Sequence, residues 1–415
     1  MLFDMTDNCN KGLPVQSGGE FLYGRTFGDQ GCARVLFTLG SPVNEEALKN
    51  AVSGALEEYG FLKLKIERRA DGLYWIPNDA PVAVLHTCAD ITVPSEQTND
   101  HQLVITWHDN NVTFKFSHAL MDGRGSSPFF HSVFSRYFGI ARSEQEKRLG
   151  QDDVLANPEL NPVRNEEGAF YLPCVADAYS LTRDGGLEET EDFQYRCIEL
   201  DEKEFMGRCK SSDGTPNVAM TVLLCRAIKR FQQQTGTAGK NPVINMSADL
   251  RSCLGNVSTH WNTIADLHLS FDERMESRDF TSQCTIMRGK LFLESDADTL
   301  RIQASRIGQT IAQAGKLPAL EEKNEFYRRQ HELTHSRSTA LVSYVGVYPF
   351  GNGINSHFEM IRVRLATVWA MLQVEINVAS GHFYLTWMQK FKGDAVLNLF
   401  LDELRQLGLS FSLKD

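Results

Sequence analysis

The chain has 415 residues, of which 42% are hydrophobic, 23% charged and 10% aromatic. This composition is typical of a folded globular protein and excludes a disordered or fibrous chain. The net charge is −11 and no run of five basic residues occurs, so nonspecific binding to nucleic acid or to anionic membranes is disfavoured. The length exceeds the roughly 250–300 residues at which a single hydrophobic core stops growing, which predicts two domains or one two-lobed body.

The cysteines and the N-terminal segment indicate where the protein works. Nine cysteines are irregularly spaced and contain no C-x-x-C pair, which predicts reduced core thiols rather than a disulfide framework. Residues 1–12 have neither the basic nor the apolar region of a signal peptide, and no stretch of eighteen apolar residues follows. We therefore expect a cytoplasmic protein without a membrane span. A monomer is the default expectation for a two-lobed body.

The first part of the chain predicts a helix, two hairpins and a second helix, in that order. Residues 45–59 place their apolar positions on one helical face, and residues 61–77 alternate in polarity around an Asp-Gly turn signal. Residues 102–117 repeat this alternation around Asp109, Asn110 and Asn111, so the outgoing strand leads directly to His118. Apolar spacing then predicts a helix over residues 126–137.

Apolar periodicity fades between about residues 140 and 190. We place the lobe boundary there, with an N-terminal lobe over 1–165, a linker over 166–190 and a C-terminal lobe over 191–415. The later elements are, in order, a helix at 218–231, a strand and loop at 241–255, a charged helical region at 273–328, a strand at 340–348, a hairpin at 364–391 turning at 379–381, and a helix at 394–407. The order predicts a mixed α/β (α+β) fold with many antiparallel hairpins.

The hexapeptide HALMDG, from His118 to Gly123, stands at the end of a predicted strand. A neutral imidazole there can accept a proton from an alcohol or an amine if its ring is held in one orientation. Asp122 can fold back and anchor the turn to a distant cation, for which Arg251 is the candidate. Backbone N–H groups near Gly123 can help to stabilise an oxyanion.

The motif resembles the H-x-x-x-D-G signature of the chloramphenicol acetyltransferase-like superfamily, which includes alcohol and polyketide-associated acyltransferases and condensation domains. Three later segments are also similar to that family: TPNVAMTVLLCRAI, INMSADLR and SYVG. The resemblance implies two lobes, each with a mixed and mostly antiparallel sheet plus helices, and a tunnel between them. It implies that His118 is the general base, that Asp122 is the structural carboxylate of the catalytic motif paired with Arg251, and that Ser343 borders the tunnel.

The sequence departs from parts of the family. Ser117 stands where condensation domains usually carry a first histidine, and the DFGWG-type motif of the plant enzymes is not visible. The resemblance implies an acyltransferase that moves an acyl group from acyl-CoA, or from the phosphopantetheine thioester of an acyl carrier protein, to a small-molecule alcohol or amine. No permanently bound cofactor and no metal are expected. The alternative is a non-catalytic, condensation-like module that binds a carrier protein.

A second motif, HELTH at residues 331–335, matches the H-E-x-x-H pattern of zinc metallopeptidases. Its lead-in KNEFYRRQ is charged, which predicts a solvated helix rather than a buried metal-binding one. Ser338 replaces the glycine of the longer metzincin pattern, and Glu359 is the one candidate for a third ligand. We keep a zinc peptidase as the third hypothesis.

Overall fold

The computed structural model describes residues 12–15, 31–142, 153–164, 177–237, 239–365 and 370–414. These residues form the mixed α/β fold that the sequence predicts. The strands are β1 (Leu13–Pro14), β2 (Cys32–Leu39), β3 (Lys65–Arg69), β4 (Gly72–Ile76), β5 (Val84–His86), β6 (Leu103–His108), β7 (Asn111–Ser117), β8 (Glu189–Asp201), β9 (Val243–Asp249), β10 (Ile264–Ser270), β11 (Ala340–Gly346), β12 (Phe358–Leu365), β13 (Leu372–Ala379), β14 (His382–Phe391) and β15 (Phe411–Lys414).

The helices separate and cover these strands. They are α1 (Glu45–Glu58), α2 (Gly123–Phe138), α3 (Glu202–Ser211), α4 (Pro216–Thr235), α5 (Glu273–Glu276), α6 (Phe280–Glu294), α7 (Ala297–Ala314), α8 (Leu320–Ser336), α9 (Asn352–Asn355) and α10 (Ala395–Gln406). Within the described ranges, no helix has both the length and the apolar character needed to cross a membrane.

The strands form two large sheets and one small one. The first large sheet has the order β12-β2-β7-β6-β5, and the second has the order β10-β9-β11-β13-β14-β8-β15. Most neighbouring strands are antiparallel, but β11 runs parallel to both β9 and β13, and β5 runs parallel to β6. Strands β1, β4 and β3 form the small third sheet. This is the mixed, mostly antiparallel arrangement expected from the hairpins.

One strand crosses between the two halves of the sequence. Strand β12 comes from the second half, yet it pairs antiparallel with β2, so Arg364 lies opposite Arg34. An edge strand supplied in this way covers backbone groups of β2 that would otherwise be unpaired. The first large sheet is therefore not built from one continuous stretch of chain. The predicted linker at 166–190 lies partly outside the described residues, and the lobe boundaries stay a prediction.

Two hydrophobic cores correspond to the two large sheets. One packs α1 and α2 against the first sheet, and the other packs α4 and α10 against the second. Cys197 and Tyr384, both from the second sheet, belong to the core of the first. Tyr384 also donates a hydrogen bond to the carbonyl of Glu359 in β12, at 2.9 Å. One face of the second sheet is therefore turned toward the first sheet, and its other face is covered by helices.

The structure corrects two predicted boundaries. Residues 60–63 form a 3₁₀ helix, so the strand expected from residue 61 begins only at Lys65. Phe61 and Leu62 are both buried, and consecutive strand residues would point to opposite faces of the sheet. Helix α2 begins at Gly123 rather than at Ser126, because Asp122 caps it. The hairpin of β6 and β7 and that of β13 and β14 turn where the sequence predicts.

Candidate active site

His118 directly follows β7, at the start of a tight turn. Its backbone N–H donates to the carbonyl of Gly31 at 2.8 Å, and the N–H of Leu120 donates to the carbonyl of Ser117 at 2.9 Å. The Ser117 hydroxyl accepts a further hydrogen bond from the N–H of Ala119 at 3.3 Å. Ser117 therefore helps to fix the turn that holds His118.

The surroundings of His118 favour its neutral form. Burial lowers the pKa of the imidazole below its ordinary value of 6.5, while the negative charge of Asp122 and a hydrogen bond to the histidine's own backbone act in the opposite direction. Burial has the largest effect because it penalises the charged imidazolium. At neutral pH the ring is therefore unprotonated on one nitrogen, which is the state needed to accept a proton.

Asp122 is the anchor of the turn. Its side chain is 1% exposed, and each of its carboxylate oxygens lies 2.9 Å from Nη2 of Arg251. One oxygen also accepts from the N–H of Gly125 at 2.6 Å, which caps α2, and the other accepts from the N–H of Thr263 at 3.0 Å. A buried carboxylate with these donors is bound on several sides and positions the residues around it.

Arg251 connects this turn to the second half of the chain. It follows β9, is buried, and donates to the backbone carbonyls of Thr259 and Trp261 as well as to Asp122. Its Nη1 lies 2.9 Å from a carboxylate oxygen of Asp249. The pairing of Asp122 with Arg251 that the sequence predicts is therefore present, across 129 positions of the chain.

Gly123 and Gly125 have different surroundings. A Cβ on Gly125 would lie 2.3 Å from the carbonyl oxygen of His260, so only glycine lets α2 approach that backbone. A Cβ on Gly123 would meet no atom within 4 Å, and this residue is exposed at the first turn of the helix. The requirement for Gly125 was missed from the sequence, because the backbone it meets is 135 residues away.

Ser343 lies on β11 beside a buried acid that the sequence analysis did not single out. It is paired in register with Glu375 of β13, whose side chain is 1% exposed. Burial raises the pKa of Glu375 to about 7, and a hydrogen bond with Ser343 partly opposes this effect. Within the described residues, Oε1 of Glu375 has no hydrogen-bond partner. A glutamate inside the buried run LQVEINVA was the signal that could have identified it.

We expect Glu375→Gln to change how stability depends on pH. The folded protein keeps this carboxyl protonated up to about pH 7, whereas the ordinary value is 4.5. The folded state therefore binds the proton more tightly, and the free energy of unfolding falls as pH rises from 4.5 to about 7. Urea unfolding should show a loss of up to about 3 kcal/mol in the wild type over this interval, which the variant lacks.

A control for this experiment is Glu322→Gln, which changes an exposed glutamate at the start of α8. It should keep the wild-type pH dependence. Parallel stability curves for Glu375→Gln and the wild type would contradict the assignment of a protonated Glu375.

Among the described residues, the structure shows no additional metal ligand beside the HELTH motif. His331 is buried in α8, while Glu332 is exposed and forms an ion pair with Arg328. The lead-in is only partly solvated: Arg328 and Arg329 are exposed, but Tyr327 is buried. The side chain of His335 lies outside the described residues. Among the described side chains, no group of three His, Cys, Asp or Glu residues could hold a metal ion.

Comparisons with known proteins identify the fold. No protein-family model matches the sequence, and no curated protein matches it. Among solved structures, Fusarium sporotrichioides TRI101 complexed with coenzyme A and T-2 has a TM-score of 0.64 at 11% identity, covering 96% of this chain and 98% of its own. The condensation domain of the monacolin K polyketide synthase MokA has a TM-score of 0.65 at 12% identity, covering 95% of this chain and 96% of its own.

A third neighbour is polyketide synthase associated protein 5 from Mycobacterium tuberculosis, with a TM-score of 0.64 at 12% identity, covering 95% of this chain and 97% of its own. The three coverages are nearly complete in both directions, so the likeness extends over the whole fold rather than over one lobe. The resemblance predicted from HALMDG is confirmed at this level. The chain therefore has the two-lobed fold of the chloramphenicol acetyltransferase-like acyltransferases and condensation domains.

Proposed function

We propose that the protein is an acyltransferase that moves an acyl group from a thioester to a hydroxyl or an amine. The observation that carries this proposal is the state of His118: a neutral imidazole on a turn that the buried pair of Asp122 and Arg251 holds in place. A general base needs a fixed position and an unprotonated nitrogen at the working pH. The anchored turn and the lowered pKa of the imidazole support this role for His118.

In the proposed reaction, His118 accepts the proton of the acceptor's O–H or N–H group as that atom attacks the thioester carbonyl. A tetrahedral intermediate forms and its oxygen carries the negative charge. In this scheme, backbone N–H groups near Gly123, at the start of α2, would stabilise it, because a helix N-terminus favours negative charge. The C–S bond then breaks, and the leaving thiolate takes the proton from His118.

The donor is acyl-CoA or the phosphopantetheine thioester of a carrier protein. TRI101 is complexed with coenzyme A, and the MokA neighbour is a condensation domain of a synthase. The proposed acceptor is a small molecule, and the TRI101 complex contains the small molecule T-2 together with coenzyme A. Asp122 acts in this scheme as a positioning residue, since its carboxylate oxygens are engaged by Arg251 and by backbone donors.

The test is the release of free thiol from a panel of acyl-CoA and acyl-pantetheine thioesters in the presence of mixed alcohols and amines. We expect release that depends on both the thioester and the acceptor, detected with 5,5′-dithiobis(nitrobenzoate). Binding of a thioester without any acceptor-dependent release, across both donor classes, would contradict the proposal and favour the non-catalytic binding module.

A further inference from the structure

A small cavity between the two large sheets has walls of unusual charge. Its volume is about 140 Å³, and three of its lining residues have cationic side chains on the face toward the first sheet. Arg362 and Arg364 come from the crossing strand β12, and Lys414 comes from β15. Arg196 of β8 also lines the cavity, but strand alternation turns its side chain to the opposite face, toward Asp394. None of the described residues that line the cavity is acidic. A concentration of like charge in a partly buried space is unfavourable unless an anion enters it.

The carboxylates near this cavity are engaged at its rim. Lys414 lies 3.1 Å from Glu199, and Arg196 lies 3.6 Å from Asp394. Arg364 forms no ion pair within the described part of the chain, and its guanidinium stacks on the ring of Tyr195, 4.5 Å from its centroid.

Repulsion within the cluster acts on Arg364 directly. Burial lowers the pKa of its guanidinium, and the positive charges of Arg34 and Arg362 lower it further. Arg34 lies opposite Arg364 on the neighbouring strand β2 and has one carboxylate nearby, that of Asp90, at 3.6 Å. A bound anion would offset this repulsion, because opposite charge stabilises the ionised form.

Thr386 supplies a second, independent sign of a ligand. Its side chain lines the cavity and is 1% exposed, and its hydroxyl has no hydrogen-bond partner among the described residues. Leaving a buried hydroxyl unsatisfied is unfavourable, so native proteins usually provide a partner. An anionic oxygen in the cavity would accept this hydrogen bond.

We propose that this cavity is a binding site for a phosphate group. Guanidinium groups have the planar donor geometry that matches phosphate oxygens, and a lysine and a hydroxyl complete the donor set. The volume is well below the roughly 300–1,000 Å³ of sites that enclose a whole drug-sized ligand, so the cavity takes the phosphate and not the body of its carrier.

The cavity is also connected to Ser343 through residues paired across three neighbouring strands, β14, β13 and β11. Thr386 is paired in register with Glu375, and Glu375 is paired with Ser343 on the next strand. Two strand spacings separate Thr386 from Ser343, which is roughly 10 Å. The family resemblance implies that Ser343 borders the tunnel in which the thioester donor would lie. One source of the phosphate is therefore the thioester donor itself, and this part of the inference rests on the proposed function. The other source is a free phosphate or an unrelated phosphate ester.

The site is tested by isothermal titration of the full-length protein with inorganic phosphate. We expect saturable binding that weakens roughly tenfold or more in Arg364→Gln, because hydrogen bonds to charged groups contribute about 1.5–3 kcal/mol. Thr386→Val, which removes only the hydroxyl, should weaken it in the same direction. Lys414→Gln changes a partly exposed residue near the end of the chain and provides a readout if Arg364→Gln does not fold.

Arg288→Gln is the matched control, since it removes one positive charge from α6, where Arg288 pairs with Asp213. It should bind phosphate as the wild type does. No saturable binding by the wild type, or an equal loss in Arg288→Gln and in the three cavity variants, would overturn the proposal. His118→Ala should bind phosphate normally, so this result is independent of whether acyl transfer is found.

Competition between phosphate and donor fragments identifies the source. If coenzyme A displaces phosphate from the wild type and pantetheine does not, the phosphate belongs to the donor, and dephospho-CoA then shows whether the 3′-phosphate is the group bound. If coenzyme A and inorganic phosphate bind together, the site takes a separate phosphate. Both outcomes support a phosphate site. Displacement of inorganic phosphate by pantetheine, which carries no phosphate group, would contradict it.

Discussion

Replacing His118 by alanine is expected to lower acyl-transfer turnover by roughly two or more orders of magnitude, the contribution typical of a positioned general base. The backbone of this turn is held by Gly31, Ser117 and the Asp122 anchor, none of which depends on the imidazole, so the variant should remain folded. Thiol release under saturating donor and acceptor, measured beside a thermal melt, separates a loss of catalysis from a loss of structure.

The matched control is His357→Ala, which removes an exposed imidazole stacked on Phe138 and outside the motif. It should retain wild-type turnover. In the wild type, kcat/KM should fall on the acidic side as His118 becomes protonated, with a midpoint below the ordinary imidazole value of 6.5. A folded His118→Ala protein with near-normal turnover would refute the mechanism.

Replacing Asp122 by asparagine is expected to lower both stability and activity. The amide keeps an oxygen that can cap α2 through the N–H of Gly125, but it no longer neutralises Arg251. Removing one partner of a buried ion pair typically costs about 3–5 kcal/mol. Arg251 keeps its contact with Asp249, so the loss should lie toward the lower end of this range. Chemical denaturation should therefore show a large decrease in the free energy of unfolding, and thiol release should decrease because the turn holding His118 is less constrained.

A double-mutant cycle with Arg251→Gln isolates the interaction. The two single variants should each be destabilised, and the double variant should lose clearly less than the sum of the two. Additive losses would mean that Asp122 and Arg251 stabilise the protein through separate contacts. An Asp122→Asn variant with normal stability but low turnover would instead indicate a direct chemical role for the carboxylate.

Local sequence patterns account for much of the fold around the site. The alternation before His118 predicts β6 and β7, and the apolar spacing after it predicts most of α2. The position of the motif between a strand and a helix follows from these local patterns alone. They succeed because apolar periodicity reports which face of a single element is buried, and this is a short-range property.

The sequence predicted one of the contacts that hold the site together and missed the others. Arg251 was predicted as the partner of Asp122 because a buried carboxylate needs a cation, and its segment also resembles a known family. The carbonyls of Thr259 and Trp261, which hold the guanidinium, carry no sequence signal of their own. Gly125 has its role because the backbone of His260 comes close to α2. Any backbone has carbonyl groups, so residue identity does not tell which of them will be close.

The sequence by itself determined the fold class, most of the elements and the catalytic candidate His118. Only the tertiary structure placed β12 beside β2, Glu375 beside Ser343, and two arginines of β12 beside Lys414. The physical reason is strand register, since neighbours across a sheet are set by pairing between segments far apart in the chain. The environment of a charged residue or a buried acid therefore depends on which strand is paired beside it, and this cannot be read from the local sequence.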